Sequence, residues 1–436
     1  MTGNARQPLR SVAVVGGGPV ALIAAVAFAQ ALPGAMIMLV PAPVTPDALA
    51  DRFPIALPAT HDLLATLGLP PERLLAKGIA RPRLATRFDA WSRDGGAWMV
   101  GEDSAATLPE GRLQGVWLRA GGKRRFHELI PACVAASAGI VDPRIEPALQ
   151  IDPGRFAQVL GSIAGQAGVR PVAAFAAFDG DRLGLHDGTQ IAADLFVDAS
   201  GPSRLLTRAA PFEDWAATLP ATRMTVSPPV ADPGPIDRYR ATPTGWTADW
   251  PGATVTAGNG GDGIAIAPGR LIAPFDGKVL AIGDAAVQPG PLGRMGFTLA
   301  LTQLALIREL MPARDPEPLL VAEINRRAGE RADRLRDFLA AHYHGGGRTT
   351  GPFWHRLDRL ARPASLDRLL TQFARRGQIV TDDEETVSRD AWLAVLLGQG
   401  IRPERPDPVA LSLSPAEAAR AIDTLATRLA ALEFPS

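Results

Sequence analysis

The sequence predicts an α/β fold, in which a doubly wound, Rossmann-like domain carries an inserted antiparallel sheet and a helical C-terminal layer. Two observations support this prediction. Near the N-terminus, an apolar run at residues 12–15 is followed by three glycines and then by an apolar, helix-like stretch at residues 21–32. Further along, two apolar runs end in Asp198 and Asp284, each followed by small residues. In a parallel sheet, such strand ends lie at one edge, close to the glycine loop.

The glycine loop reads GGGPVA and joins the first predicted strand to the first predicted helix. Gly16 permits a tight turn, Gly18 permits the close approach of a pyrophosphate, and Ala21 permits close packing of the helix on the strand. The helix N-terminus beyond Pro19 offers N–H groups and a positive dipole end to an anion. The pattern predicts that these four residues bind a dinucleotide. The alternative is a strand–helix turn that binds nothing.

The second predicted strand covers residues 36–40 and departs from the usual dinucleotide pattern at its end. Dinucleotide folds usually place Asp or Glu there, where the carboxylate binds the ribose hydroxyls. Here the next residue is Pro41. We therefore expect a weakened contact to the adenosine ribose.

Charge and cysteine content argue against several classes of function. Lys and Arg total 45, as do Asp and Glu, so no net field favours nucleic acid or an anionic membrane. Cys133 is the single cysteine, which excludes an intramolecular disulfide and a cysteine-based metal cluster. His342 and His344 stand two apart, the wrong spacing for one helix face, and no metal is predicted. No apolar run reaches membrane-spanning length, and we expect a cytoplasmic protein.

The pattern of strands and helices predicts three regions. A discontinuous nucleotide-binding domain is expected at residues 1–80, 151–210 and 270–315, and a substrate-binding β-sheet domain at residues 81–150 and 211–269. Residues 316–436 are expected to form a C-terminal helical region. Trp91, Trp98 and Trp117 fall in a glycine-rich stretch expected to be β-structure. Packing in a core is the commoner role for such aromatics, and stacking on a substrate is the alternative.

Several motifs in a fixed order resemble one enzyme family. They are GGGPVA, TRFDAW, VWLR, DLFVDASG, TPTGWTADWP and LAIGDAAVQPGPLGRMGF, followed by LRDFLAAHYHGGGRTTGPFW at residues 335–354 and WLAVLLGQGIRPERPDP at residues 392–408. Together they are similar to the flavin-dependent tryptophan halogenases, from about residue 11 to about residue 408. The first and later glycine motifs also resemble the FAD-binding signatures of flavin monooxygenases in general.

The resemblance implies a cofactor, partners and a set of site residues. The family uses reduced FAD, supplied by a separate flavin reductase, to activate oxygen and oxidise chloride or bromide. The hypohalous acid then reaches a small aromatic substrate. Besides the first glycine loop, the FAD-binding residues implied are Asp198, Gly201, Asp284, Pro291, Gly293 and Gly296. The substrate-binding residues implied are Trp246, Trp250 and Trp354.

The match fails at the positions that carry halogenation. The family's lysine falls on Arg83, which can form no amine adduct and cannot be deprotonated. The family's Trp-x-Trp-x-Ile-Pro reads WTADWP, and its Glu-Pro-Leu-Glu-Ser-Thr reads GPLGRM, so Gly293 and Arg294 replace Glu and Ser. Arg83 and Arg294 are the candidate catalytic residues that remain, Arg294 through its ability to attract an anion. The alternative is that both are ordinary ion-paired arginines.

Three readings of function follow. The leading one is an FAD-dependent oxidoreductase that acts on an indole-like substrate, with halogenation disfavoured by Arg83 and Gly293. The first alternative is a flavin-dependent aromatic hydroxylase. The second is a non-catalytic descendant that binds flavin or another ligand. The sequence leaves the oligomeric state open.

Overall fold

The computed structural model describes residues 7–102, 107–109, 111–344, 350–357, 359–360, 362–379, 384–405 and 408–431. Residues 345–349 and 406–407, which belong to the two C-terminal motifs, lie outside the described residues. The chain divides into two compact units. Unit 1 comprises Met1–Arg81, Leu149–Ala216 and Ile264–Asp333, and unit 2 comprises Pro82–Ala148, Ala217–Gly263 and Arg334–Ser436. The three ranges predicted from the sequence stay a prediction.

Unit 1 contains a five-stranded parallel sheet. Its strands lie in the order Arg170–Pro171, Met36–Val40, Ser11–Val15, Leu195–Asp198, Val279–Ala281. Val15 is in register with Val40 on one side and with Asp198 on the other. The carboxyl ends of the three central strands therefore meet at one edge, as the sequence predicts.

The two faces of this sheet are covered differently. Val12 and Val14 belong to a core that includes helix residues such as Phe156 and Phe297, whose rings meet edge to face at 5.8 Å. Helices Pro19–Ala31, Pro153–Gln166 and Gly296–Glu309 contribute to this core. Ala13 and Val15 face a second core on the opposite side, with residues of a three-stranded antiparallel sheet: Phe175–Phe178, Leu183–Leu185 and Gln190–Ile191. The α/β class is confirmed, with this small sheet covering the second face.

Unit 1 completes its fold with short elements. Its other helices are Leu49–Arg52, His61–Thr66 and Pro71–Ala76. Ile55–Ala56 pairs with Ala148–Ile151, and Phe212–Asp214, Gly269–Leu271 and Val287–Gln288 form a further antiparallel sheet. Further short strands of the chain are Ala80–Arg83, Thr107–Leu108, Gly111–Arg112 and Ile264–Ala265.

Unit 2 is built on a mainly antiparallel sheet. Six of its strands lie in the order Arg223–Ser227, Ala253–Gly258, Gly245–Trp250, Ile236–Thr242, Ala85–Asp89, Trp98–Gly101. Ile236–Thr242 and Ala85–Asp89 are the one parallel pair among these six. The inserted antiparallel sheet is thus confirmed. The helices after residue 316 are Pro318–His344, Pro352–Leu357, Ala364–Arg376, Arg389–Gly398 and Pro415–Ala430.

One expectation about unit 2 is wrong. Trp117 does not lie in a β region but in helix Leu113–Arg119, whose buried face it shares with Leu113 and Val116. Apolar residues three and four apart predict this helix, whereas the expectation of β-structure rested on nearby glycines. A second helix, Pro131–Ser137, follows. Among the described residues, no helix is long and apolar enough to cross a membrane.

Candidate functional site

The glycine loop of unit 1 lies at the edge where the strands end. Gly16 N–H donates to the carbonyl of Val40 at 3.0 Å, and Ala199 N–H donates to the carbonyl of Val15 at 2.9 Å. Gly18 is the residue before helix Pro19–Ala31 and provides no side-chain cap, and Pro19 at the first helical position has no N–H. Ala21 is fully buried, and its Cβ lies 2.7 Å from where a Cβ on Gly16 would stand. The four residues predicted at the pyrophosphate are thus together.

The N-terminus of this helix is already capped by a carboxylate. Val20 N–H donates to Asp51 Oδ1 at 2.8 Å in a buried hydrogen bond. Asp51 is 5% exposed, and burial raises its pKa to about 6, against the effect of the Val20 hydrogen bond. A Cβ on Gly18 would stand 2.3 Å from Asp51 Cγ, so glycine is needed there for Asp51 to fit. Asp51 therefore occupies the end of the helix that attracts anions.

Asp284 is a second buried carboxyl group at this edge of the parallel sheet. It lies just after strand Val279–Ala281 and is 3% exposed. Its Oδ2 accepts a hydrogen bond from Ala50 N–H at 2.8 Å, whereas its Oδ1 has no hydrogen-bond partner among the described residues. Burial, and then repulsion from Asp51 and Asp47, raises the pKa of Asp284 to about 8. At neutral pH this group is mostly a neutral carboxylic acid.

The carboxylate of Asp198 is hydrogen-bonded to the turn that follows its strand. It is fully buried at the end of its strand. Its Oδ1 accepts hydrogen bonds from the Ser200 N–H at 3.2 Å and hydroxyl at 2.6 Å. Its Oδ2 accepts from the N–H groups of Leu206 and Thr207, at 2.9 and 3.0 Å, and from the Thr207 hydroxyl at 2.8 Å. Both oxygens thus stabilise the turn after the strand, and contact with a cofactor remains a prediction.

Residues 47–51, which we call segment 47–51, line the crevice between these strand ends. Asp51 reaches the first glycine loop, and Ala50 binds Asp284. Ala48 lies against Gly201, where a Cβ would stand 3.2 Å from Ala48 Cβ. Likewise, a Cβ on Gly296 would stand 3.1 Å from Ala50 Cβ. The segment therefore contacts glycines from three of the predicted FAD-binding motifs at once.

The segment from Pro291 to Gly296 forms a tight, glycine-dependent turn before helix Gly296–Glu309. Gly293 has φ of 73°, a conformation in which glycine is favoured. Arg294 has φ of 55°, which is uncommon for a residue other than glycine. The Arg294 side chain is 6% exposed, and its Nη2 donates to Gln150 Oε1 at 3.1 Å. A catalytic role for Arg294 remains a prediction.

Arg83 lies in unit 2 and forms a buried ion triad. Its Nη2 is 2.9 Å from Glu102 Oε1, and its Nη1 is 3.0 Å from Asp237 Oδ2. Burial alone would lower the pKa of Arg83, but Glu102 and Asp237 raise it above the usual arginine range. Arg83 is 3% exposed and stays a cation between two carboxylates. This arrangement favours the ion-pair interpretation over proton transfer.

The three tryptophans predicted to bind substrate lie in an aromatic core of unit 2. Trp246, Trp250 and Trp354 are each 1% exposed or less. Their indole N–H groups donate to the Tyr343 hydroxyl at 3.1 Å, to the Tyr239 hydroxyl at 3.2 Å and to the Thr242 carbonyl at 2.7 Å, respectively. Their indole N–H groups are hydrogen-bonded and their rings are buried, so these three tryptophans pack as core residues of unit 2. Substrate binding by these residues remains a prediction.

Sequence reasoning missed three residues of these sites: Asp51, Glu102 and Asp237. Asp51 lies in the four-residue helix Leu49–Arg52, which has no recognisable periodicity. Asp237 shares the buried face of its strand with Tyr239 and Ala241, so its burial contradicts what its charge suggests. Within the part of the chain that is described, no group of three or more His, Cys, Asp or Glu residues is placed to hold a metal ion.

A strand–glycine loop–helix unit on a parallel sheet defines the class of dinucleotide-binding folds. The comparisons with known proteins narrow this class. The tryptophan halogenase family matches residues 11–260 and 253–415. The chain belongs to the tryptophan halogenase family.

Individual relatives are distant. Tryptophan 7-halogenase RebH from Lentzea aerocolonigenes is 26% identical over 156 residues, which is 32% of this chain and 29% of that protein. The structure of BrvH, a flavin-dependent halogenase from Brevundimonas sp. BAL3, superimposes with a TM-score of 0.87 at 24% identity over 98% of this chain and 96% of that one. Xcc4156, a flavin-dependent halogenase from Xanthomonas campestris, superimposes with a TM-score of 0.86 at 22% identity, again over 98% of this chain and 96% of that one. At these identities the structures establish the fold.

Proposed function

We propose that this chain is an FAD-dependent oxidoreductase of the halogenase family that acts on a small aromatic substrate and does not halogenate it. We further propose that segment 47–51 restricts entry of the flavin at neutral pH. The observation that most directly supports this restriction is the hydrogen bond from Val20 N–H to Asp51. Beside it lies Asp284 Oδ1, which has no partner among the described residues.

The residues of the crevice fit a flavin dinucleotide on one condition. Gly16 and Gly18 lie at the carboxyl edge of the sheet, where dinucleotides bind in this class of fold. Asp284 Oδ1 is a buried polar atom that has no partner within the described part of the chain, and a hydroxyl of the flavin side chain would satisfy it. The ionised Asp51 carboxylate, however, would repel a pyrophosphate at the same helix end. The fit therefore requires Asp51 to be protonated or displaced.

Bound FAD would supply the redox chemistry, with reduced flavin delivered by a separate reductase and with oxygen as the oxidant. The chain's own residues would bind and orient it. The glycine loop would hold the pyrophosphate, and Gly293 and Gly296 would permit close approach of the ring. Asp284, neutral at pH 7, can donate a hydrogen bond as well as accept one.

Loss of halogenation is proposed from two positions. The family's lysine is Arg83, which Glu102 and Asp237 hold on both sides. The family's second glutamate is Gly293, which carries no functional group. Without the lysine and the glutamate, a hypohalous acid would have no directing groups, so no halogenated product is expected from chloride or bromide. Hydroxylation of the aromatic substrate is the outcome that the remaining chemistry allows.

A second candidate function is a non-catalytic descendant that no longer binds flavin. The same contact favours it, because an ionised Asp51 at the helix N-terminus would exclude FAD throughout the physiological pH range. The two candidates differ in whether any flavin enters the crevice, which a binding measurement decides.

The test is a titration of the purified protein with oxidised and reduced FAD at pH 5.5 and pH 7.5, followed by flavin absorbance and fluorescence. We expect saturable binding that is tighter at pH 5.5. Oxygen uptake with reduced FAD and indole would then be compared with and without bromide, and we expect the same rate in both. Absence of binding at both pH values would establish the non-catalytic candidate, and bromide-dependent product would restore halogenation.

A further inference from the structure

Unit 2 contains a cavity of about 590 Å³, separate from every residue placed in the flavin crevice. Its lining includes three buried aromatic rings, Trp98, Trp117 and Phe126, which are 1%, 2% and 5% exposed. Trp117 and Phe126 meet edge to face at 5.5 Å. This volume is within the range of small-molecule sites, whose walls are usually apolar and aromatic.

Cations dominate the rest of the lining. It carries five cationic side chains and one carboxylate, that of Asp94; the cations are Arg93, Lys123, Arg124, Arg125 and Arg402. Arg125 pairs with Asp94 at 3.3 Å, and Arg124 pairs with Asp423 at 3.2 Å. The remaining three cations leave the lining with an excess of positive charge, which attracts anions.

Arg402 makes direct contacts with two neutral groups, and the carboxylate of Asp94 interacts with its charge through space. Its Nη1 donates to the carbonyl of Gly122 at 3.1 Å, and its guanidinium carbon lies 4.4 Å from the centre of the Trp117 ring. Neither contact neutralises the charge. A Cβ on Gly122, whose φ is 58°, would stand 2.4 Å from Arg402 Nη1, so glycine makes room for the guanidinium here. Arg402 is therefore oriented beside an indole ring and keeps donors for a carboxylate.

The lining also contains two unsatisfied polar atoms. Trp98 Nε1 and Gln399 Oε1 are buried and have no hydrogen-bond partner among the described residues. The other end of the Gln399 amide donates to the carbonyl of Ala341 at 2.7 Å, which fixes the side chain. Buried polar atoms without partners are rare, and they occur where a ligand or water completes the site.

From these contacts we infer that this cavity binds an aromatic carboxylate that carries no ammonium group. The ring would lie among Trp98, Trp117 and Phe126, and the carboxylate would pair with Arg402. A zwitterionic amino acid fits less well, because its ammonium group would meet the surplus of cations. Neither Arg83 nor Gly293, where the family's lysine and glutamate fall, lines the cavity. The inference does not depend on the proposed flavin chemistry.

The experiment is isothermal titration of flavin-free protein with indole-3-propionate, with indole and tryptophan as matched probes. Indole lacks the carboxylate, and tryptophan adds the ammonium group. We expect indole-3-propionate to bind at least about tenfold more tightly than either, since one charge-assisted hydrogen bond is worth about that factor. Raising NaCl from 50 to 500 mM should weaken its binding several-fold.

Two arginine variants test whether indole-3-propionate binds at Arg402. Arg402→Gln should weaken indole-3-propionate at least about fivefold, whereas Arg368→Gln, which removes an exposed arginine of the same unit outside the cavity, should leave it unchanged. Thermal melting checks that both variants fold. Equal binding of indole-3-propionate and indole, equal affinities of the two variants, or no binding would each overturn the inference.

Discussion

Asp51 Oδ1 lies 2.8 Å from the Val20 nitrogen, at the N-terminus of helix Pro19–Ala31. The carboxylate thus uses the N–H group and the dipole end that a phosphate of a bound dinucleotide would use. Because Pro19 supplies no N–H, Val20 carries the first main-chain donor of the helix. Asp51 and a pyrophosphate therefore compete for one donor.

Replacing Asp51 with Asn should expose this competition. An amide oxygen can still accept from Val20 N–H, but it carries no charge to repel FAD. We expect Asp51→Asn to bind FAD at pH 7.5 at least about tenfold more tightly than the wild type, with little dependence on pH. Asp62→Asn, which removes an exposed carboxylate of the same unit, is the control and should behave as the wild type. A wild-type affinity in Asp51→Asn would show that the carboxylate does not control entry.

The two buried carboxyl groups also predict how stability depends on pH. Their folded-state pKa values, about 6 for Asp51 and about 8 for Asp284, exceed the ordinary aspartate value of 3.8. At these two groups the folded state binds more protons than the unfolded state, so they lower the free energy of unfolding as pH rises. The rings of His127 and His342, whose pKa values burial lowers to about 4, act in the opposite direction between about pH 4 and pH 6.5. The decline per carboxyl group is at most about 1.4 kcal/mol per pH unit, between about pH 4 and the folded pKa.

Urea denaturation of the wild type and of carboxyl variants from pH 4.5 to pH 8 isolates this contribution, because the histidines are the same in each protein. Between pH 6 and pH 8 Asp284 is the main contributor, so Asp284→Asn should flatten the profile in that window. Asp62→Asn should keep the wild-type slope. A profile of Asp284→Asn parallel to the wild type would mean that Asp284 is ionised in the folded protein.

Removal of Arg83 should destabilise unit 2. Arg83→Met leaves Glu102 and Asp237 buried without their cation, and breaking such a pair costs about 3–5 kcal/mol. Chemical denaturation of Arg83→Met and of Arg368→Met, an exposed arginine of the same unit, gives the comparison, and the second change should cost less than about 0.5 kcal/mol. Similar losses in both variants would contradict the triad's structural role.

Asp198 should matter to stability whether or not flavin is present. Asp198→Ala removes the acceptor for Ser200, Leu206 and Thr207, and each buried donor left unsatisfied costs about 1–3 kcal/mol. We expect a loss of more than about 3 kcal/mol in urea denaturation of the flavin-free protein. A variant as stable as wild type that only lost FAD affinity would assign Asp198 to the cofactor instead.

Most of the fold follows from local patterns. The strand at residues 36–40 is observed as Met36–Val40, and the helix-like stretch at residues 21–32 as helix Pro19–Ala31. Apolar periodicity and flanking glycines determine such elements directly. The β-structure predicted at Trp117 is wrong because glycines nearby favour turns and short strands, whereas the spacing of its apolar neighbours predicts the observed helix.

The site was predicted less completely, for a physical reason. The sequence identified the glycine loop, Asp198 and Asp284, which follow strands whose ends a parallel sheet brings together. It did not identify Asp51, because its contact with Val20 spans 31 positions and depends on how an irregular segment folds back. Likewise, Arg83 and Asp237 are 154 positions apart, and no local pattern reports their pairing.

The three glycines of the first loop have neighbours of their own within the protein. A Cβ on Gly16 would stand 2.4 Å from the Ala199 carbonyl oxygen, one on Gly17 would stand 2.2 Å from that of Ala42, and one on Gly18 would reach Asp51. Selection for folding alone would therefore preserve this signature after any cofactor had been lost. In this chain the glycine fingerprint is required by packing as well, so cofactor use must be read from the charges around it.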